Sequence, residues 1–295
     1  MRKNVFLLAV CLVASVCLAG CFKVKQDFTV NPDGSGKVVC EISIAGGPQA
    51  AADLPALQEE ARKEAARIIS ETQGVTAWKD VTFSGEKDGR INFKGTAYFK
   101  DITKFTTSDQ KVTIGWKPAA DGTVQLELLL KLEGGPAPKE PPKLTEEQIK
   151  KNVADAKTEM AQQLPMLAQT LNEARMEWQF TLPGTAANSV NFQPVADKPN
   201  TLNLVFEGKK MVEYLKTLSE DEAYMRANIV AGKDPTGPPP PEVFNEKIFG
   251  TNGRLTVTFK PGDKPLFDFA AESEAAKKAM PIPGLEAPAP ATTTK

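Results

Sequence analysis

Apolar and polar residues alternate from Phe22 to Val30 and again from Val38 to Ile44, and Pro32-Asp33-Gly34-Ser35-Gly36 between them has turn chemistry. This spacing predicts a β-hairpin. The period then changes. Leu54, Leu57, Ala61, Ala65, Ile68 and Ile69 recur at helical steps before Gly74, which predicts a helix over 54–73. From residue 75 to 132 the period returns to two, through Val81 and Phe83, 91–99, Val112, Ile114 and Trp116, and 124–132. Asp-Gly pairs at 33–34, 88–89 and 121–122 punctuate these runs as turns.

Gly134-Gly135-Pro136-Ala137-Pro138 through Pro142 reads as a stiff linker, because proline favours extended backbone and cannot donate to a ladder. Thr145 with Gln148 forms a capping-box start, and Glu146 and Glu147 complement the helix dipole. Ile149, Val153, Ala156, Met160, Leu164, Leu167, Leu171 and Ala174 follow at steps of three and four, a single apolar seam. At 1.5 Å per residue this helix is roughly 45 Å long, and Pro165 predicts a kink within it. Strands are expected over 176–182, around 190–192 and over 202–206, short helices over 209–216 and 219–231, and a last strand pair at 255–259 and 266–269.

The pattern predicts an α+β fold: an antiparallel meander covered by the medium 54–73 helix and the long 145–174 helix, the latter packed across the sheet or projecting as an arm. The divisions are a leader over 1–20, a β-rich α+β part over 21–133, a Pro-rich linker with the long helix over 134–174, C-terminal strands over 175–270 with a helical insertion at 208–253, and a disordered tail over 281–295.

The N-terminus says where such a fold would be held. A basic Arg2-Lys3 start and an apolar run over 5–16, too short to span a bilayer, lead into Leu18-Ala19-Gly20-Cys21. A leucine, two small residues and a cysteine form the bacterial lipoprotein box, cut between Gly20 and Cys21, with the Cys21 sulfur carrying a diacylglyceryl group. Each buried methylene contributes roughly 0.8 kcal/mol, so two or three acyl chains hold a protein on the membrane permanently. The expected location is the exported cell envelope. Phe22, where an aspartate would signal inner-membrane retention, points to the outer membrane if the organism has one.

Composition narrows the chemistry. Without residues 1–20 the chain keeps 34 basic and 37 acidic side chains, which argues against a nucleic-acid partner. Cys11 and Cys17 leave with the leader and Cys21 is acylated, so Cys40 is the single remaining thiol; its alternating apolar neighbours Val38 and Ile42 predict a buried, inert side chain. There is no histidine, which removes Ser-His-Asp and Cys-His nucleophile systems and histidine metal sites together. No metal or cofactor is called for. A Ser-Lys hydrolase survives that absence: Ser84 with Lys87 and Ser108 with Lys111 both have S-x-x-K spacing, yet neither serine opens a helix and no S-D-N or K-T-G partner follows. Residues 31–36 have a passing likeness to a calcium loop but lack its closing glutamate and read as a turn.

Four stretches, taken in order, carry a family resemblance: Gly20-Cys21, the FTVNPDGSG hairpin at 28–36, GTAYFKDITKF at 95–105 and FTLPG at 180–184. Over residues 21–207 the chain resembles the LppM-like bacterial lipoproteins. That resemblance implies an α+β domain at the cell envelope and brings no catalytic residues. The expectation is therefore a non-enzymatic binding or structural module, joined to the membrane by its acyl chains and meeting a lipid or an envelope protein. The alternative is a carrier or sensor of a hydrophobic ligand on the face formed by Val153, Met160, Leu164, Leu167 and Leu171. A Ser-Lys hydrolase is the second alternative.

Overall fold

In the hairpin, β1 (Phe22–Val30) and β2 (Gly36–Ala45) pair along their whole length, from Phe22 opposite Ile44 to Val30 opposite Gly36. Strict alternation buries Phe22, Val24, Phe28 and Val30 on one face. The turn closes because Gly34 takes φ 82° and Asp33 Oδ1 accepts from the Ser35 amide at 3.0 Å. A computed structural model describes residues 22–46, 53–107, 112–130, 143–236, 241–251 and 254–279, together with 282, 284 and 285.

Helix α1 (Leu54–Glu71) starts at Asp53, whose side chain accepts from the Ala56 amide, and buries Leu57, Ala61, Ala65 and Ile68. It covers β3 (Val75–Gly85) and β4 (Arg90–Phe99), with Leu57 and Ala61 packed beside Ile91. Beyond β4 come β5 (Val112–Pro118) and β6 (Val124–Leu130), then the long helix α2 (Glu146–Leu171). Strands β7 (Arg175–Thr181), β8 (Ala186–Ser189), β9 (Gln193–Pro194) and β10 (Thr201–Glu207) follow. After them lie helices α3 (Gly208–Glu220), α4 (Glu222–Val230) and α5 (Pro241–Phe249), strand β11 (Leu255–Phe259) and helix α6 (Phe269–Lys278).

The α+β class holds, with a topology richer than a meander. Seven strands form one sheet in the order β3-β4-β2-β1-β7-β10-β9, and four form a second in the order β5-β6-β11-β8. Neighbouring strands are antiparallel except β1 and β7, which run parallel with Lys23 opposite Arg175 and Thr29 opposite Thr181. The free edge of β1 has to be paired, and β7 fills it. The second sheet needs β11 for the same reason, since β6 has apolar Leu126 and Leu128 to back and a bare edge to close. Both sheets bury into one core, where Phe28, Phe99 and Phe180 meet Ile114, Leu126, Val257 and Phe259.

Several elements depart from expectation. The long helix is capped by Thr145 and Gln148 as predicted, continues through Pro165 and does not project: Ala156 and Met160 join the main core and Leu171 packs with Phe22 and Val24 of β1. The helix also packs on α3 and α4, held by Arg226 to Glu146 at 2.6 Å and Lys157 to Glu222 at 2.8 Å. Residues 208–230 are thus the second half of a helical layer whose apolar stripes need each other. Asp221 caps α4 by accepting from the Tyr224 amide, while Ser219, where the sequence pattern starts this helix, donates back to the Lys216 carbonyl. Residues 266–269 form no strand: Asp268 accepts from the Ala271 amide and opens α6. The strand expected at 190–192 lies earlier, in β8, and Asn191 turns the chain at φ 67°. Of the predicted tail, Ile282 reaches the core and residues 286–295 lie outside the described residues.

Candidate binding surface

The polar half of each alternation lines the outer face of the larger sheet. Lys23 and Lys25 of β1 stand opposite Ser43 and Glu41 of β2, which stand opposite Asn92 and Lys94 of β4. On the other flank they stand opposite Arg175 and Glu177 of β7, and Ser84 and Thr82 of β3 complete the two rows. Sheet twist curves these rows into an open trough of about 490 Å³.

Its charges are partly paired. Lys94 meets Glu41 at 2.7 Å, Lys25 meets Asp27 at 2.9 Å, and Arg175 meets Glu177 at 3.3 Å and Glu207 at 3.5 Å. The hydrogen bond to Asp27 pushes the Lys25 ammonium above its ordinary value. Lys23 has no ion pair among the described residues. Four cations and two carboxylates line the trough, and Asp27 and Glu207 pair with Lys25 and Arg175 from its margin, which leaves Lys23 as its cation with no ion pair among the described residues. Such a surface can hold an anionic group by charge-assisted hydrogen bonds. Of its hydroxyls, Ser43 Oγ accepts from Arg90 Nε at 3.0 Å, and Ser84 Oγ donates to the Glu86 carboxylate at 2.7 Å rather than meeting the lysine of its S-x-x-K spacing.

The opposite end of the same face is covered. Asn31, buried in the hairpin turn, accepts from the Leu266 amide at 2.8 Å and donates to the Phe267 carbonyl at 3.3 Å. Lys37 lies 4.3 Å over the Phe267 ring and pairs with Glu272 at 2.8 Å, and Tyr98 donates to Glu272 at 3.0 Å. Ala276 of α6 packs on Ala77 and Tyr98. Burial, then the Glu272 carboxylate beside it, pushes the Tyr98 hydroxyl up to about 12.

A second polar cluster lies on the smaller sheet. Glu127 is fully buried between Lys117 and Arg254, the latter at 2.9 Å, and Gly115 opposite leaves room for it. A carboxylate held between two cations is a structural ion triad.

The residues singled out from sequence fall in separate places. Gly20 and Cys21 lie outside the described residues, as does Ser108. Met160 and Leu171 are buried, Met160 in the main core and Leu171 against Phe22 and Val24; Val153, Leu164 and Leu167 are half-buried. None of these five lines the trough. Cys40 is buried, and burial pushes its thiol up to about 12, the inert state its neighbours suggested. Residues 31–36 are a turn. Alternation along the hairpin is the signal that places Lys23 and Lys25 on its outward face, but nothing local says that Arg175 lands beside them.

Among the described residues no group of three or more Cys, Asp or Glu side chains could hold a metal ion, and no helix is long and apolar enough to cross a membrane. Among the described residues the fold and the trough define an α+β module of two sheets with an open charged face. No family model matches the chain, and no curated protein does. Among solved structures it is similar to the NMR structure of the folded domain of LppM from Mycobacterium tuberculosis, at 10% identity, over 83% of this chain and 92% of that one, with a TM-score of 0.33. This is a weak structural relation and carries no argument about function.

Proposed function

We propose that this protein is an LppM-like lipoprotein of the bacterial envelope, anchored through Cys21, that acts as a non-enzymatic binding module with the trough as its binding surface. The single observation that supports the trough is its content: an open sheet face lined by Lys23, Lys25, Lys94 and Arg175, with Glu41 and Glu177 among them. The lipoprotein box and the order of the four sequence stretches support the anchor and the family. Cys21→Ser should move the chain from the membrane fraction to the soluble fraction. A cross-linker placed at Ser43 should then capture a partner more strongly than one at exposed Lys151, relative to an unrelated lipid-anchored control. Equal capture at the two positions would remove the trough from this reading.

A carrier of an apolar ligand is the second reading. Leu164 and Leu167 are only half-buried on α2, and Met166 between them is 62% exposed. Native mass spectrometry of the unacylated chain tests it, since a carrier retains a lipid-sized adduct and a bare mass excludes a tightly held one.

A further inference from the structure

We infer that the trough is a docking face for the anionic headgroups of the bilayer that holds Cys21. The inference rests on the anchoring reading above and adds an orientation and a ligand chemistry to it. The chain reaches Phe22 one residue after the anchor, and Phe22 is already fully buried and opposite Ile44 in the hairpin. Nothing long enough to act as a tether separates acyl chains from sheet. At about 3.3 Å per residue, Lys23 lies about 7 Å and Lys25 about 13 Å along the strand from Cys21. A bilayer's polar layer is roughly 5–7 Å deep on each side, so the end of the sheet carrying Lys23 stands at the headgroups.

The chemistry at that end fits an anionic surface. Lys23 and Arg175 are opposite one another in the row nearest the anchor, and Lys25 and Lys94 stand in the next. Glu41 and Glu177 sit in this second row, farther from the anchor than Lys23; Glu207 stands in the first row opposite Arg175 and pairs with it at 3.5 Å, so the first-row cation with no ion pair among the described residues is Lys23. Phosphate oxygens accept from lysine and arginine, and the attraction acts within a Debye length of about 8–10 Å. Coverage agrees with the orientation, because α6 closes the far end of the face against Tyr98 and leaves open the end beside the anchor.

The test uses the acylated chain purified from membranes and placed in nanodiscs of neutral phosphatidylcholine, or of the same lipid with one-third phosphatidylglycerol. Lysines are acetylated briefly and read by mass spectrometry. Lys23, Lys25 and Lys94 should be labelled several-fold more slowly in the anionic discs, with Lys151 and Lys278 unchanged. Lys23→Gln/Lys94→Gln changes exposed side chains, keeps the fold by circular dichroism, and should return Lys25 to its neutral-disc rate. Equal labelling of the three lysines in both discs overturns the docking face while leaving the anchor intact. A chain that does not stay with the discs fails the anchor instead. Protection produced in neutral discs by inorganic phosphate alone overturns the headgroup assignment in favour of a soluble anion.

Discussion

Phe28 holds the centre of the core by ring geometry. It stacks on Phe180 at 4.8 Å and 10°, and meets Phe105 edge-on at 5.5 Å and 87°. Because Phe28 and Phe180 sit on paired parallel strands, removing one ring opens a cavity between elements that no local rearrangement fills. Phe28→Ala should lower unfolding free energy by about 3–5 kcal/mol in urea denaturation. Cys40 on the same face makes a chemical prediction. With its thiol pushed up to about 12 by burial, iodoacetamide at pH 8 should leave it unmodified in the native protein and modify it in urea. Glycine matters at one helix junction. A Cβ on Gly208 would collide with the Leu171 carbonyl oxygen, so Gly208→Ala must push α3 off the end of α2 and should cost about 1–3 kcal/mol in the same assay.

Helix α6 is the element whose attachment depends on a titrating group. Burial by itself would raise the Glu272 pKa, but hydrogen bonds from Lys37 and then Tyr98, with the Lys37 charge, hold the carboxyl below its ordinary value of 4.5. A carboxyl depressed by folding stabilises the folded state above its unfolded value, and that contribution disappears as pH falls through the folded value. Amide protection of residues 269–278, corrected for intrinsic exchange, should therefore be steady above about pH 5 and weaken on acidification below 4.5. Glu272→Gln should be weaker at neutral pH and lose most of that dependence, since Glu274, the other carboxyl of α6 with a lowered value, pairs within the helix to Lys277. This helix also shows where sequence legibility ends. The hairpin, α1 and the capped start of α2 were readable because their periodicity and caps are local. Around α6, Leu266, Phe267 and Phe269 suggest a strand, and what decides otherwise is Asp268 acting as a cap before an alanine-rich run. The trough was half-legible for a similar reason: its lysines follow from alternation, but Arg175 arrives through a parallel pairing with no local signal.

At the scale of the whole molecule the two sheets cannot be separate folding units, although their hydrogen-bond networks are distinct. Leu126 and Leu128 of β6 share one core with Phe28 and Phe180 of the larger sheet, and β6 is closed on one side only by β11, near the end of the described chain. Trp116 lies 5.3 Å from Phe259, so the last strand also seats the first strand of its sheet. Losing β11 would leave apolar Leu126 and Leu128 on a strand with a bare edge, a state that exposes core surface of both sheets at once. Phe259→Ala should therefore weaken residues on β1 and on β6 together, by about 3–5 kcal/mol each, as measured by amide exchange in urea. The midpoints of the two strands should stay coincident in the variant as in the parent. A β6 that opens while β1 keeps its parental protection would mean that the smaller sheet is an appended unit, and that the face carrying the trough stands without it.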